Sequence, residues 1–323
     1  VEPNPAIAQH SGQIWAISDG HAGNRRQALA LAAAIDRGPV QEHALRTRAP
    51  WRWVAPRRWP GSAQAFGDAF ANASAPALAI GCGRQAALAT RLLRERGAKA
   101  VQILDPRLDP AHWDLVIAPE HDGLRGANVI TLLGSLNPVD DAWLAQARDR
   151  FAAFAELPRP RTALLLGGDS AHARFGAMAF EVLASKLEAA LARDGGSVLI
   201  TTSRRTPAEL RAALRHRYDE TPGVVWRGPD DGENPYPGLL AWADRIVCSP
   251  DSVNMISEAC ATSAPVFVFD PARVTGRPRR FLDALLQRGR IRAMDAELAP
   301  FAAEPLRETA RVADELRARL GWK

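Results

Sequence analysis

Short apolar runs that stop at glycine or polar residues, each followed by a stretch with helical spacing, recur along the chain. Residues 13–17 form the first run and end in Ser18-Asp19-Gly20-His21-Ala22-Gly23-Asn24, after which residues 27–35 carry alanine and leucine at helical intervals. The same order returns at 77–80, which reaches Gly81-Cys82-Gly83-Arg84 ahead of a helix over 85–96. Runs at 100–104, 115–118 and 128–132 reach Asp105-Pro106, Pro119-Glu120-His121-Asp122 and Gly134 in turn. This alternation predicts a parallel sheet flanked by helices, with ligand-facing residues at the carboxyl ends of the strands.

A helix over 140–155 gives way to Glu156-Leu157-Pro158-Arg159-Pro160-Arg161, which holds two prolines and no apolar periodicity. A chain of 323 residues is about the length of two ordinary domains. The linker therefore divides it into an N-terminal domain, 1–157, and a C-terminal domain, 158–323. In the second, a strand over 162–166 ends in Gly167-Gly168-Asp169-Ser170 before a helix over 175–193. A strand over 196–200 ends in Thr201-Thr202-Ser203-Arg204-Arg205-Thr206, and 224–226 makes a third strand. Asn234-Pro235-Tyr236-Pro237 leads a short helix, 238–243, into a fourth strand at 245–248. Ser249-Pro250-Asp251-Ser252 then supplies capping side chains and a first-turn proline for a helix that begins near Ser252. That helix runs through Met255, Ile256 and Ala259 to the break at Ala264-Pro265, before a last apolar run at 266–269. An amphipathic helix over 304–320 either crosses back onto the first domain or pairs with another chain.

Composition narrows the chemistry. Hydrophobic residues make up 47% and charged residues 24%, as in a folded soluble protein, and no apolar stretch approaches the ~18 residues of a membrane helix. Residues 1–13 lack a basic start followed by an apolar core, so no secretory signal is expected. The three cysteines, Cys82, Cys248 and Cys260, are scattered in apolar or glycine-rich runs, which favours buried thiols in a reducing, cytoplasmic setting. The histidines form no metal-ligand spacing, so no metal site is expected. A net charge of +5 and a pI near 9.6 point to an anionic partner: a phosphate ligand, a lipid surface or a nucleic acid.

Two stretches carry that charge argument further. From Arg46 to Pro60 the chain holds five arginines, three tryptophans and no acidic residue. Such a loop suits an anionic membrane surface, or is a basic surface loop whose tryptophans tuck into the domain; no nucleic-acid module accompanies it, and no nucleic-acid partner is expected. In the second domain, the helix beginning at Ser252 offers free amides and a dipole to a phosphate, and Glu258 lies one to two turns further in, where a carboxylate meets a ribose hydroxyl. Arg204 and Arg205, at a strand's carboxyl end, suit a diphosphate, or else form a solvated basic turn. The first glycine turn departs from the GxGxxG fingerprint, so no nicotinamide cofactor is read there. His121-Asp122 is either an acid/base pair or a hydrogen-bonded loop corner.

Taken together, Ser18-Asp19-Gly20 with Gly23 and Gln27, Pro119-Glu120-His121-Asp122, Gly167-Gly168, Ser203-Arg204-Arg205-Thr206, Asn234-Pro235-Tyr236, and Asp251-Ser252 through Met255, Glu258 and Pro265 resemble the ELM1-like mitochondrial fission family. The resemblance covers nearly the whole chain. Plant members of that family take part in mitochondrial division, and the chain is also similar to the GT-B glycosyltransferase architecture. It implies an α/β fold of two Rossmann-like domains whose parallel sheets face each other across a cleft, the C-terminal one holding a nucleoside diphosphate sugar. By that similarity Ser252 and the helix amides hold phosphate, Glu258 the ribose, Arg204 or Arg205 the diphosphate, and Gly167 and Gly168 let the donor approach the backbone. Gly20, Gly23 and Asn24 form the acceptor-side turn. The family often has a basic residue at the position of His21 and histidine at that of Asn24, so the resemblance does not itself supply a base. His21 occupies the turn where several GT-B enzymes place one, and Asp19 is the alternative base or an orienting carboxylate.

The function this implies is a metal-independent glycosyltransferase that uses a nucleotide sugar, needs no cofactor and acts on a membrane-associated acceptor. Two alternatives remain: a noncatalytic adaptor recruited to a membrane and binding a protein partner, and a sugar-nucleotide epimerase. Its expected place is the cytoplasm, peripheral to the inner face of a membrane.

Overall fold

The structure, a computed structural model, describes residues 13–35 and 38–322. The expectation for the first residues thus falls, up to residue 12, outside the described part. The strands are β1 (Ile14–Ser18), β2 (Val40–Ala44), β3 (Leu78–Cys82), β4 (Lys99–Ile103), β5 (Leu115–Pro119), β6 (Val129–Leu132), β7 (Arg161–Leu166), β8 (Ser197–Thr202), β9 (Gly223–Trp226), β10 (Arg245–Cys248), β11 (Val266–Val268) and β12 (Ile291–Ala293). The helices are α1 (Ala22–Ile35), α2 (Trp51–Val54), α3 (Asp68–Asn72), α4 (Arg84–Glu95), α5 (Asp141–Arg150), α6 (Ala177–Asp194), α7 (Ala208–Ala213), α8 (Tyr236–Trp242), α9 (Val253–Cys260), α10 (Gly276–Gln287) and α11 (Glu308–Arg319).

Two six-stranded sheets, parallel at every pairing, follow the orders β2-β1-β3-β4-β5-β6 and β12-β11-β10-β7-β8-β9. The α/β class with two Rossmann-like parallel sheets is therefore as expected. Each sheet is covered on both faces, which is why its central strands are buried at nearly every position rather than at every second one. In β1, Ile14 and Ala16 join α1 and α11 on one face, while Trp15 and Ile17 join Leu88 and Leu92 of α4 on the other. In the second sheet, Leu164, Leu166, Val198 and Ile200 bury against Phe180, Leu183 and Leu187 of α6.

The chain changes unit earlier than the proline-rich linker. One unit comprises the residues up to Pro138 together with those from Glu308 onward; the other is Val139–Arg307. The physical reason is local. Helix α5 buries Leu144 and Ala147, Arg148 Nε donates to Ala241 O at the end of α8 at 3.1 Å, and Phe151 sits where only a glycine, Gly238, leaves room. At the other end, α11 buries Val312, Ala313 and Leu316 in the core of the first unit. Its first residues tie to the loop after β6, through Leu133 N to Glu308 Oε2 at 3.2 Å and Asn137 N to Thr309 Oγ1 at 3.0 Å. Arg317 caps α1 by donating to the carbonyls of Ala34 and Ile35, where the dipole favours a cation.

Candidate functional site

In an open parallel sheet, ligands bind outside the carboxyl ends of the strands where the strand order reverses. The orders above reverse between β1 and β3 in the first sheet and between β7 and β10 in the second. Both positions carry turns singled out from the sequence.

In the first unit, β1 runs into Ser18-Asp19-Gly20-His21. Gly20 takes a left-handed φ of +84°, with its N–H donating to Ser18 Oγ at 3.2 Å, and the chain enters α1 at Ala22. Gly23 and Asn24, expected in the acceptor-side turn, instead form the first turn of α1. Asp19 is the hub. It accepts from His21 N at 3.1 Å and from Asn24 Nδ2 at 3.0 Å, and its Oδ1 lies 3.0 Å from His21 Nδ1. Burial opposes ionisation of Asp19, but the hydrogen bonds from Asn24 and His21 outweigh it and hold its pKa below the ordinary value. The imidazole of His21 is 79% exposed against 14% for the Asp19 carboxylate. A ring held through Nδ1 presents Nε2 outward. Asn24 is a support rather than a surface group: its Oδ1 faces the Cys82 thiol at 3.6 Å, and its Nδ2 lies 2.6 Å from where a Cβ on Gly83 would stand. Across the sheet, His121 and Asp122 fall in a single turn of 3-10 helix, 4.0 Å apart and both nearly buried.

In the second unit, three strand ends are fastened by one carboxylate. Asp251 follows β10 and its side chain is fully buried. It accepts from Gly168 N at 3.1 Å after β7, from Arg205 Nη2 at 2.6 Å after β8, and from Ser249 Oγ at 2.6 Å. Ser249 Oγ in turn accepts from Gly167 N at 2.7 Å, and Thr206 Oγ1 reaches back to Leu166 O and Gly167 O. The glycines are required by these contacts. A Cβ on Gly167 would stand 2.2 Å from the Asp251 carboxylate, and one on Gly168 2.1 Å from Arg205 O. The room expected there for a ligand is thus taken by the chain itself.

What faces outward is different. Ser252, not Asp251, is the N-cap of α9, accepting from Met255 N at 3.4 Å. Arg204 is exposed, and among the described residues its guanidinium has no hydrogen-bond or ion-pair partner. Arg205, expected beside it as a free cation, is already paired with Asp251. Glu258 is 2% exposed, and the Tyr236 hydroxyl at the start of α8 donates to its carboxylate. At the far end of α9, buried Arg290 donates to four carbonyls, of Ala259, Cys260, Thr262 and Ala264, so the helix is capped by a cation where its dipole is negative. Among the described residues no three His, Cys, Asp or Glu side chains gather as metal ligands.

Sequence reasoning missed the roles of Asp251, Ser249, Thr206 and Tyr236. Asp251 and Ser252 carry equivalent capping chemistry, and only tertiary packing decides which turns inward. For Tyr236 there was a signal, the Asn234-Pro235-Tyr236 sequence ahead of a helix, in which Asn234 Oδ1 accepts from Tyr236 N at 3.0 Å.

A family model described as Mitochondrial fission ELM1 matches residues 22–320. The chain is 31% identical over 281 residues to Mitochondrial fission protein ELM1 of Arabidopsis thaliana, a match spanning 76% of this chain and 65% of the plant protein. It therefore covers a little under two thirds of that relative's length. In fold it is similar to UDP-GlcNAc 2-epimerase from Methanocaldococcus jannaschii, with a TM-score of 0.53 at 12% identity over 95% of this chain and 99% of that one. It is also similar to Medicago truncatula UGT71G1 complexed with UDP-glucose, with a TM-score of 0.51 at 10% identity over 97% of this chain and 90% of that one. At such identities the likeness is one of fold, the GT-B architecture.

Proposed function

The chain belongs to the mitochondrial fission ELM1 family, and from that premise we propose that it is a metal-independent glycosyltransferase that takes a nucleoside diphosphate sugar and a membrane-associated acceptor. One observation carries this: at the switch point of the second sheet, the capped N-terminus of α9 and the partner-free Arg204 fall at the same edge, with buried Glu258 further along the same helix. The α9 amides and Arg204 supply positive potential for a diphosphate, as leaving-group stabilisation without a metal requires. Glu258, oriented by Tyr236, is the group for the ribose. In the first unit, His21 held by Asp19 is the base: Nε2 takes the proton of the acceptor hydroxyl, the oxygen forms the new glycosidic bond, and the bond from the sugar to the diphosphate breaks with its electron pair. The two relatives in fold, a UDP-GlcNAc 2-epimerase and a protein solved with UDP-glucose, support a sugar nucleotide as the ligand class.

A second function, that of a noncatalytic membrane-recruited adaptor, has one observation in its favour. The Gly167-Gly168 turn is filled by Asp251 and Arg205 of the same chain and offers a phosphate no free amide. Calorimetry against a panel of nucleoside diphosphates and their sugars separates the two. Binding that weakens about tenfold in Arg204→Ala and in Glu258→Ala, roughly the worth of one charge-assisted hydrogen bond, supports the enzyme. Absence of binding across the panel leaves the adaptor. Release of free diphosphate only when an acceptor is present then marks a transferase, whereas inversion at a sugar carbon without an acceptor marks an epimerase.

A further inference from the structure

Residues from Arg46 to Pro60 form a surface that the chemistry above does not use. The segment leaves the sheet beside the His21 turn, with Leu45 N donating to Ser18 O at 2.8 Å and Thr47 N to Gln85 Oε1 at 2.9 Å. It is fastened from beneath by two arginines of α4: Arg84 Nη2 donates to Arg52 O at 3.0 Å, and Arg91 Nη1 to Pro56 O at 2.7 Å. Its three tryptophans divide by role. Trp51 is half-buried against the core, and its indole N–H closes the segment on itself by donating to Pro60 O at 3.0 Å. Trp53 and Trp59 are 64% and 56% exposed, so a rigid base holds two indoles out in solvent. Large apolar side chains displayed on an ordered surface mark an interaction site.

The charges around them choose the partner. Arg46 and Arg57 are exposed and their guanidinium groups have no hydrogen bond or ion pair among the described residues, and Arg52 lies 5.2 Å from the centre of the Trp53 ring. Among the described residues, the one arginine of the segment with an ion pair is Arg58, to Glu95 at 2.6 Å. Indoles flanked by arginines match the boundary of an anionic bilayer, where the ring sits at headgroup depth and guanidinium meets phosphate. A nucleic acid fits less well, because Arg52 already occupies one face of Trp53 and no nucleic-acid module accompanies the segment.

We propose that this surface docks the first unit on an anionic lipid membrane, with Trp53 and Trp59 inserted at headgroup level and Arg46, Arg52 and Arg57 on the lipid phosphates. Docking does not depend on the nucleotide reading. Its consequence for chemistry does rest on that reading: the surface lies beside the His21 turn, so an acceptor hydroxyl carried at headgroup level is the substrate class the turn would meet.

Flotation of the full chain with vesicles tests it. Binding is expected to vesicles of phosphatidylcholine with about 30 mol% phosphatidylglycerol, not to phosphatidylcholine alone, and should fall as salt rises from about 0.1 M to about 0.5 M. Trp53→Ala with Trp59→Ala, and Arg46→Glu with Arg57→Glu, each reduce partitioning by about tenfold or more, since each arginine near such a surface accounts for roughly fivefold. Circular dichroism and melting temperature should stay unchanged, because these side chains are exposed. No salt-sensitive flotation, or flotation undiminished in both double variants, overturns the proposal. So does binding of a single-stranded oligonucleotide that the variants abolish while vesicles do not bind. Nucleotide calorimetry, done without lipid, succeeds or fails independently.

Discussion

The guanidinium of Arg205 and the fully buried carboxylate of Asp251 meet at 2.6 Å, joining the end of β8 to the end of β10 across the glycine turn after β7. A carboxylate with three donors around it, from Gly168, Arg205 and Ser249, is a fastener, and its loss strands each of them. Asp251→Ala should destabilise the second unit by about 3 kcal/mol, read by urea unfolding, whereas Arg205→Ala, whose side chain is 47% exposed, should cost only about 1 kcal/mol. Equal effects of the two would mean that the ion pair, rather than the buried carboxylate, holds the turn.

Gly20 and Gly168 should respond differently to alanine. At Gly20 the φ of +84° is the only obstacle, since nothing lies within 4 Å of the added carbon, and about 1 kcal/mol is expected. At Gly168 the added carbon would meet Arg205 O at 2.1 Å, a backbone clash that the turn can relieve only by opening, and about 3 kcal/mol or more is expected. Thermal denaturation of the two variants orders them.

Arg290→Met removes the donors to four carbonyls at the end of α9 while keeping most of the side-chain volume. Burial lowers the pKa of this guanidinium, a sign that it is costly to place and is held by those acceptors. The substitution should cost about 2 to 4 kcal/mol, measured by denaturant unfolding. It should also raise hydrogen exchange at the last turn of α9 before that of α6.

The depressed pKa of Asp19 fixes a sign for pH dependence. A carboxyl group whose folded value lies below its unfolded value adds stability that is complete above the ordinary value of about 3.8 and is lost as pH falls through the lower folded value. Asp19→Asn should therefore flatten the acid limb of the stability curve below that point and leave the slope near neutrality unchanged. If the chain and the variant lose stability in parallel on acidification, the Asn24 and His21 contacts do not hold the charge.

All three cysteines are fully buried. Burial raises the Cys82 thiol, helped by the negative Asp19, and raises Cys260 to about 12 against the opposing Arg290. At pH 8 a thiol reagent should label none of the three in the native protein and all three in denaturant.

Much of the site was legible because the signals were local. A strand that ends in glycine or a capping serine marks a carboxyl edge wherever it falls in the sheet, so Asp19, Gly20, Gly167 and Ser252 could be placed without knowing the strand order. What packing decides was not legible. Strand β2, Val-Gln-Glu-His-Ala, is an exposed edge with no apolar run, and it forms because β1 offers it hydrogen-bonding groups. Strand β12 has only three residues. The proline-rich stretch at 156–161 read as a boundary because proline is rare inside elements, yet Arg161 already pairs in β7 and α5 belongs to the same unit. The inward turn of Asp251 depends on Arg205 and Gly168, which lie 46 and 83 residues away.

Helix α11 packs in the first unit although all of Val139–Arg307 precedes it in the chain. On the ribosome the second unit is thus one uninterrupted segment that can close while the first still lacks the side chains of Val312, Ala313 and Leu316. A truncation between Arg307 and Val312 would spare the unit made later and leave exposed the face of the one made first, so quality control of nascent chains would read its completeness from the earlier unit.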